Sequence, residues 1–164
     1  MVGESERHRR IVAEVTDLYG WIDSQLKQNP AGAGSCAACG ACCDFPAYDH
    51  RLFVTPPELV YLAEKLNTGR LKPMPDGRCP YQQGRRCSVH EHRFASCRIF
   101  CCKGDSAFQS ELSEATLKQL KAMCERFELP YRYQDLPAAL EPFATGTCRW
   151  AEGPCPPVRE RRCT

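Results

Sequence analysis

The stretch SCAACGACCDF holds four cysteines within eight positions: Cys36, Cys39, Cys42 and Cys43. No other feature limits the fold as strongly. Four free thiols so close together are an oxidation liability unless a metal holds them, and a backbone that wraps a metal is neither regular helix nor regular strand. Two residues separate Cys36 from Cys39, and two separate Cys39 from Cys42. That spacing lets neighbouring thiolates converge on one centre, as in zinc knuckles and iron–sulfur binding runs. The residues between them are small, and Gly40 can take a positive φ and turn the chain tightly. Cys43 breaks the pattern. In an extended segment its side chain points away from that of Cys42. The doublet therefore suggests a second centre, a polynuclear site, or one ligand with a supporting thiol beside it.

Further thiols follow at Cys79, Cys87, Cys97, Cys101 and Cys102, and then at Cys124, Cys148, Cys155 and Cys163, thirteen in all among 164 residues. The N-terminal sequence MVGESERHRRIVAEV is charged where a secretory signal would need an apolar stretch, so the expected location is cytoplasmic. There thiols stay reduced, and dense cysteine favours metal over disulfides. An odd count also fits a complete disulfide framework poorly. Four thiolates on one zinc ion or one [4Fe–4S] cluster leave a net charge of about −2. Eight on one centre would be too negative to bury. Either several metal ions share the thiols or some keep their protons, and Arg85, Arg86, Arg93 and Arg98 can offset the rest. His90 and His92 are alternative ligands, more readily read as surface residues. The net charge of +2 gives no electrostatic case for a nucleic-acid partner. No run of about 18 apolar residues exists, so no membrane span is expected.

Helical periodicity organises the remainder. Ile11, Val12, Val15, Leu18, Tyr19, Ile22 and Leu26 form one apolar face over residues 6–27. Residues 56–67 read as a second helix, with Thr55 as N-cap, Pro56 at the first position and Glu58 three residues after the cap. Leu59, Val60, Ala63 and Leu66 are its core-facing residues. Residues 79–90 read as a hairpin turning at Gly84, with Cys79 and Cys87 on either side. Residues 92–101 read as a helical turn that places Cys97 and Cys101 on one face; if it ends early, Cys97 and Cys102 converge instead. Residues 106–128 read as a long helix with Phe108, Leu112, Leu120, Cys124 and Phe127 on its stripe, and Pro130 stops it. A short helix follows near 136–142. The expected fold is a mainly α small single domain with irregular cysteine-rich loops and a short β-hairpin, organised around a metal site. The expected metal-binding domain is 1–145, with its motif core at 36–102, followed by an irregular tail at 146–164. Trp21, Trp150, Tyr131 and Tyr133 are expected in the core or at its rim. Cys124 is expected in the core, and the three tail cysteines as free thiols.

Cys36-x2-Cys39-x2-Cys42-Cys43, then Cys79-Pro80, Cys87-Ser88-Val89 and Arg93-x3-Cys97-Arg98 occur in an order that resembles the CxxCxxCC family. These are the YkgJ-type cysteine cluster proteins, described as zinc- or iron-chelating domains. Flagellin lysine N-methylases carry a similar pattern. The resemblance spans residues 36–102. The phrase Leu129-Pro130-Tyr131-Arg132-Tyr133 also resembles a bacterial branch. Where the family has proline after Arg93, this chain has Phe94, a change of local stiffness rather than of ligands. The resemblance implies a metal site made by Cys36, Cys39, Cys42, Cys43, Cys79, Cys87, Cys97 and Cys102; Cys101 is an extra thiol beside Cys102, and which of that pair is the ligand stays open.

Three functions compete. The preferred one is an iron–sulfur cluster in a redox or cofactor-linked role, which the methylase likeness would connect to methyl transfer. The second is a structural zinc adaptor that docks a protein partner. The third is storage or delivery of a thiophilic metal ion. The sequence shows no Gly-rich phosphate loop, no Ser-centred nucleophile and no convincing acid–base pair, so no enzymatic reaction is assigned. Asp44, Asp49 and His50 are read as loop structure, or as polar support for the cluster.

Overall fold

The computed structural model describes residues 3–47, 49, 51–66 and 70–144. The apolar stripe near the N-terminus becomes α1 (Glu4–Gln28), which buries Ile11, Val15, Leu18, Tyr19 and Ile22. Asn29 ends it and starts α2 (Pro30–Ala33), accepting the Gly32 N–H on its Oδ1 at 2.9 Å. The cysteine run follows, closing on a 3₁₀ turn at Ala41–Cys43. The later elements are β1 (Phe53–Val54), α3 (Pro56–Lys65), β2 (Gln82–Gln83), β3 (Arg86–Cys87), α4 (Ala95–Ile99), α5 (Ser106–Arg126), β4 (Gln134–Asp135) and α6 (Leu136–Ala144). A second 3₁₀ turn, His90–His92, leads into α4. The described residues are therefore mainly helical, and they form a small single domain with two minimal antiparallel sheets.

One sheet is the expected hairpin. Gln82 pairs with Cys87 and Gln83 with Arg86 around Gly84, whose φ is +60°. The hairpin is shorter than the sequence suggests: Cys79 lies in the turn that precedes β2, where its carbonyl accepts the Gln82 N–H at 3.1 Å. The other sheet joins distant parts of the chain, pairing Phe53 with Asp135 and Val54 with Gln134.

Two apolar clusters hold the fold together. The first gathers Ile11, Val15, Leu18, Tyr19 and Ile22 of α1 with Leu112, Leu120, Met123 and Cys124 of α5, and Trp21 packs against it. The second gathers Leu59, Leu62 and Ala63 of α3 with Leu52, Tyr81, Phe94, Leu136 and Leu140. Helix α3 serves both, so it is buried on more than one face: Tyr61 joins the first cluster and Leu62, fully buried, the second. A single core-facing stripe on α3 was expected; two facing clusters bury residues on either side of it.

The N-terminus of α3 carries the expected capping box between Thr55 and Glu58. Glu58 does more than cap. It accepts hydrogen bonds from the Thr55 N–H (2.9 Å), the Thr55 hydroxyl (2.7 Å), the Ala95 N–H (2.9 Å) and the Tyr19 hydroxyl (3.4 Å). One buried carboxyl thus ties α3 to α1 and to the start of α4. Burial raises its pKa, and these donors work against the rise.

Candidate metal centre

The cysteine run begins at a tight seam. Gly34 has φ of +73°, and a Cβ there would lie 2.7–2.8 Å from the backbone of Lys103 and Gly104. The Asp105 N–H donates to the Gly32 carbonyl at 2.8 Å. The run is therefore pinned against the loop before α5 as it sets out. Ala38 then takes φ of +51°, a left-handed conformation unfavourable for any residue with a Cβ, and Gly40 takes +71°. The Ala38 N–H points to the Cys36 sulfur at 3.4 Å. A backbone donor aimed at sulfur fixes the direction in which that side chain points. At the far end of the run the Gln82 side chain donates to the Gly40 carbonyl at 3.0 Å, locking the loop to the hairpin.

Five thiols from three parts of the chain share one neighbourhood. Cys43 and Cys79 are the next pair along from an antiparallel bridge between Asp44 and Arg78, and the Cys79 N–H donates to the Cys43 carbonyl at 3.1 Å. Their thiols are hydrogen-bonded. This contact, with burial next, raises the Cys43 pKa, and the same contact lowers that of Cys79. Burial, then the charges of Cys43 and Cys36, pushes Cys42 up to about 11. Burial raises Cys87, with Cys43 and Cys42 adding to it and Arg93 opposing. Cys97 is raised by burial first and then by Cys43, Cys87 and Cys42. Cys79, Cys87 and Cys97 also pack against the second apolar cluster. Without a metal most of these thiols hold their protons.

The doublet differs from the sequence reading. Cys42 and Cys43 lie in a 3₁₀ turn rather than an extended segment, so their side chains contact each other instead of diverging. Helix α4 ends at Ile99, so Cys97 and Cys101 do not share a helical face. Cys101 is buried and Cys102 exposed. Cys36 is exposed and reaches the group through Cys42; Cys39 is exposed too. Among the described residues, no three Cys, His, Asp or Glu side chains are already closed to metal-binding geometry.

The cations sort clearly. Arg98 is buried, donates to Asp23 (3.2 Å) and to the Arg93 (3.1 Å) and Glu91 carbonyls, and lies 4.3 Å from the Tyr19 ring centroid. Arg93 donates to the Cys97 carbonyl at 3.3 Å and lies 3.0 Å from the His90 ring nitrogens. Arg93 faces the thiol group, where its charge acts on Cys87 and Cys97, whereas Arg98 is taken up by Asp23 and Arg85 and Arg86 are exposed on the hairpin. His92 meets the Tyr61 hydroxyl at 3.3 Å. Asp44 pairs with Arg78, which holds its carboxyl below the usual range, and it accepts the Ala47 N–H at 3.4 Å. Its role is thus loop structure. Asp49, at φ of +46°, lines a separate cleft of about 300 Å³ with Phe45, Arg51, Met74 and Asp135. His50 and the cysteines at 148, 155 and 163 lie outside the described residues, as do Trp150 and the expected tail. Cys124 is buried in the first cluster as expected; Tyr131 and Tyr133 are exposed at the rim, with Tyr133 against Phe53.

Sequence reasoning missed two positioning groups. Nothing in the sequence marks Gln82 as the clamp on Gly40. Glu58 was legible as a cap, but its reach to Ala95, two residues before Cys97, depends on tertiary packing. No described helix is long and apolar enough to cross a membrane. No family model, curated protein or solved structure matches the chain.

Proposed function

We propose that this chain is a thiolate metal-binding protein, with an iron–sulfur cluster as the preferred occupant in a redox or cofactor-linked role. One observation carries the reading: Cys42, Cys43, Cys79, Cys87 and Cys97, from three separate segments, share one half-buried neighbourhood beside Arg93. Thiolates are soft donors that suit iron–sulfur clusters and zinc, and an all-sulfur set argues against magnesium or calcium. More thiols than one tetrahedral ion requires favour a polynuclear group. Cys36 and Cys39 complete the set by closing inward on binding, and Cys102 is the remaining candidate ligand. The likeness to YkgJ-type proteins points the same way. A bound cluster would supply one-electron chemistry; the chain's part is to hold the sulfurs, shield one side with the second apolar cluster, and offset charge with Arg93.

A structural zinc adaptor is the second reading. It is favoured by the position of Cys79, Cys87 and Cys97 against an apolar cluster to which loop residues such as Phe45, Leu71 and Met74 contribute. There a metal would contribute folding free energy directly. Elemental analysis with visible and EPR spectra on protein purified without air separates the two. Iron with acid-labile sulfide, and a signal on reduction, supports the cluster. Stoichiometric zinc in colourless protein, with no iron after anaerobic expression, overturns it in favour of the adaptor.

A further inference from the structure

We propose that Cys43 and Cys79 form a disulfide in the metal-free protein when it meets a low-molecular-weight disulfide such as oxidised glutathione, and that this bond closes the site to metal. The consequence for metal rests on the metal-binding reading above; the disulfide itself does not. The two residues face each other as the next pair along from the antiparallel Asp44–Arg78 bridge, both on the same side of it, and one backbone hydrogen bond already joins them at 3.1 Å. Residues so paired in antiparallel backbone have Cα atoms about 5.5 Å apart. That falls in the middle of the disulfide range of roughly 4.4–6.8 Å. Their thiols touch, and both are partly exposed. Thirty-five residues lie between them in sequence, so the bond would fasten the cysteine run to the hairpin segment.

The chemistry is two successive exchanges. A thiolate of the pair attacks glutathione disulfide, forming a mixed disulfide and releasing one glutathione thiolate. The second protein thiolate, its proton gone to solvent, attacks the protein sulfur of that mixed disulfide and expels the other glutathione thiolate. Both cysteines are oxidised, one glutathione disulfide is reduced to two glutathiones, and the electrons balance. The site loses two of its five grouped sulfurs.

The test uses the full metal-free chain with limiting oxidised glutathione, followed by alkylation, tryptic digestion and non-reducing mass spectrometry. Cleavage after Arg78 and Arg85 isolates Cys79 from Cys87, and fragmentation distinguishes Cys43 from Cys42. The expected first intramolecular link is Cys43–Cys79, retained in Cys42→Ser and lost in Cys43→Ser. A first link at Cys36–Cys39, Cys42–Cys43 or Cys79–Cys87 overturns the proposal. Zinc titration of the reduced and oxidised samples is the second arm. A fall in zinc affinity of more than about tenfold supports closure of the site, and unchanged affinity overturns closure. If the reduced protein takes up no zinc or iron while the link forms, the metal-binding reading fails and the disulfide stands.

Discussion

The contact with Cys79 keeps the proton on Cys43, and burial keeps protons on Cys42, Cys87 and Cys97. A metal must displace those protons before it can bind. Zinc titrated into weakly buffered apo-protein near neutral pH is therefore expected to release on the order of three to four protons. Its affinity is expected to rise with pH, since the thiols titrate above neutrality. Release of fewer than one proton, read with an indicator dye, would mean that these thiols are not the ligands. Glu58 gives a second prediction at this scale. Its four donors lose their acceptor in Glu58→Ala, and unsatisfied buried groups cost about 1–3 kcal/mol each. Chemical denaturation should show a loss of about 3 kcal/mol, with Glu58→Gln less affected. Because the folded pKa of Glu58 is raised, its stabilising contribution is full below the ordinary carboxylate range and is lost as pH rises through the folded value. The stability gap between wild type and Glu58→Gln should thus shift against wild type as pH increases from about 4. A gap independent of pH would contradict the raised pKa.

Elements with a clear period were legible in the sequence. Helices α1, α3 and α5 lie within two residues of expectation because Ile11–Ile22, the Thr55–Glu58 box and Leu112–Cys124 are local signals. The β1–β4 pairing was not legible, since two-residue strands 80 positions apart leave no periodic trace. The same holds for the cysteine run. Its spacing announced a turn-rich loop, but the 3₁₀ turn that joins Cys42 to Cys43, and the partnership of Cys43 with Cys79, come from the Asp44–Arg78 bridge. The seam at Gly34 is an element-scale constraint that can be tested. Gly34→Ala adds a Cβ within 2.8 Å of rigid backbone at a positive φ. A loss of roughly 1–3 kcal/mol is expected, together with faster alkylation of Cys36, measured by thermal unfolding and timed thiol labelling. An unchanged melting temperature would show that the seam can open freely.

Across the whole molecule, the two apolar clusters relate differently to the thiols. The second packs directly on Cys79, Cys87 and Cys97, whereas the first holds none of the eight candidate ligands. Leu62→Ala, at a fully buried position in the second cluster, should cost about 2–5 kcal/mol and weaken metal retention as well, followed by chelator competition. Leu120→Ala in the first cluster should lower stability by a similar amount and leave retention in the folded protein nearly unchanged. Equal effects on retention would mean that the clusters do not differ in their coupling to the site.

The composition of the first cluster also bears on the order in which the protein assembles. Its members Ile11–Ile22 and Leu112–Phe127 are far apart in sequence, the cysteine motif lies between them, and Val60, Tyr61, Ala95 and Ile99 from that stretch join the same cluster. None of the candidate ligands belongs to this cluster, so docking of α1 on α5 is expected first, confining the thiols to a small volume. Metal uptake at the proposed site would then be a late, bimolecular step whose rate scales with metal concentration, while the Trp21 signal of the docked helices is expected to develop at a rate that does not.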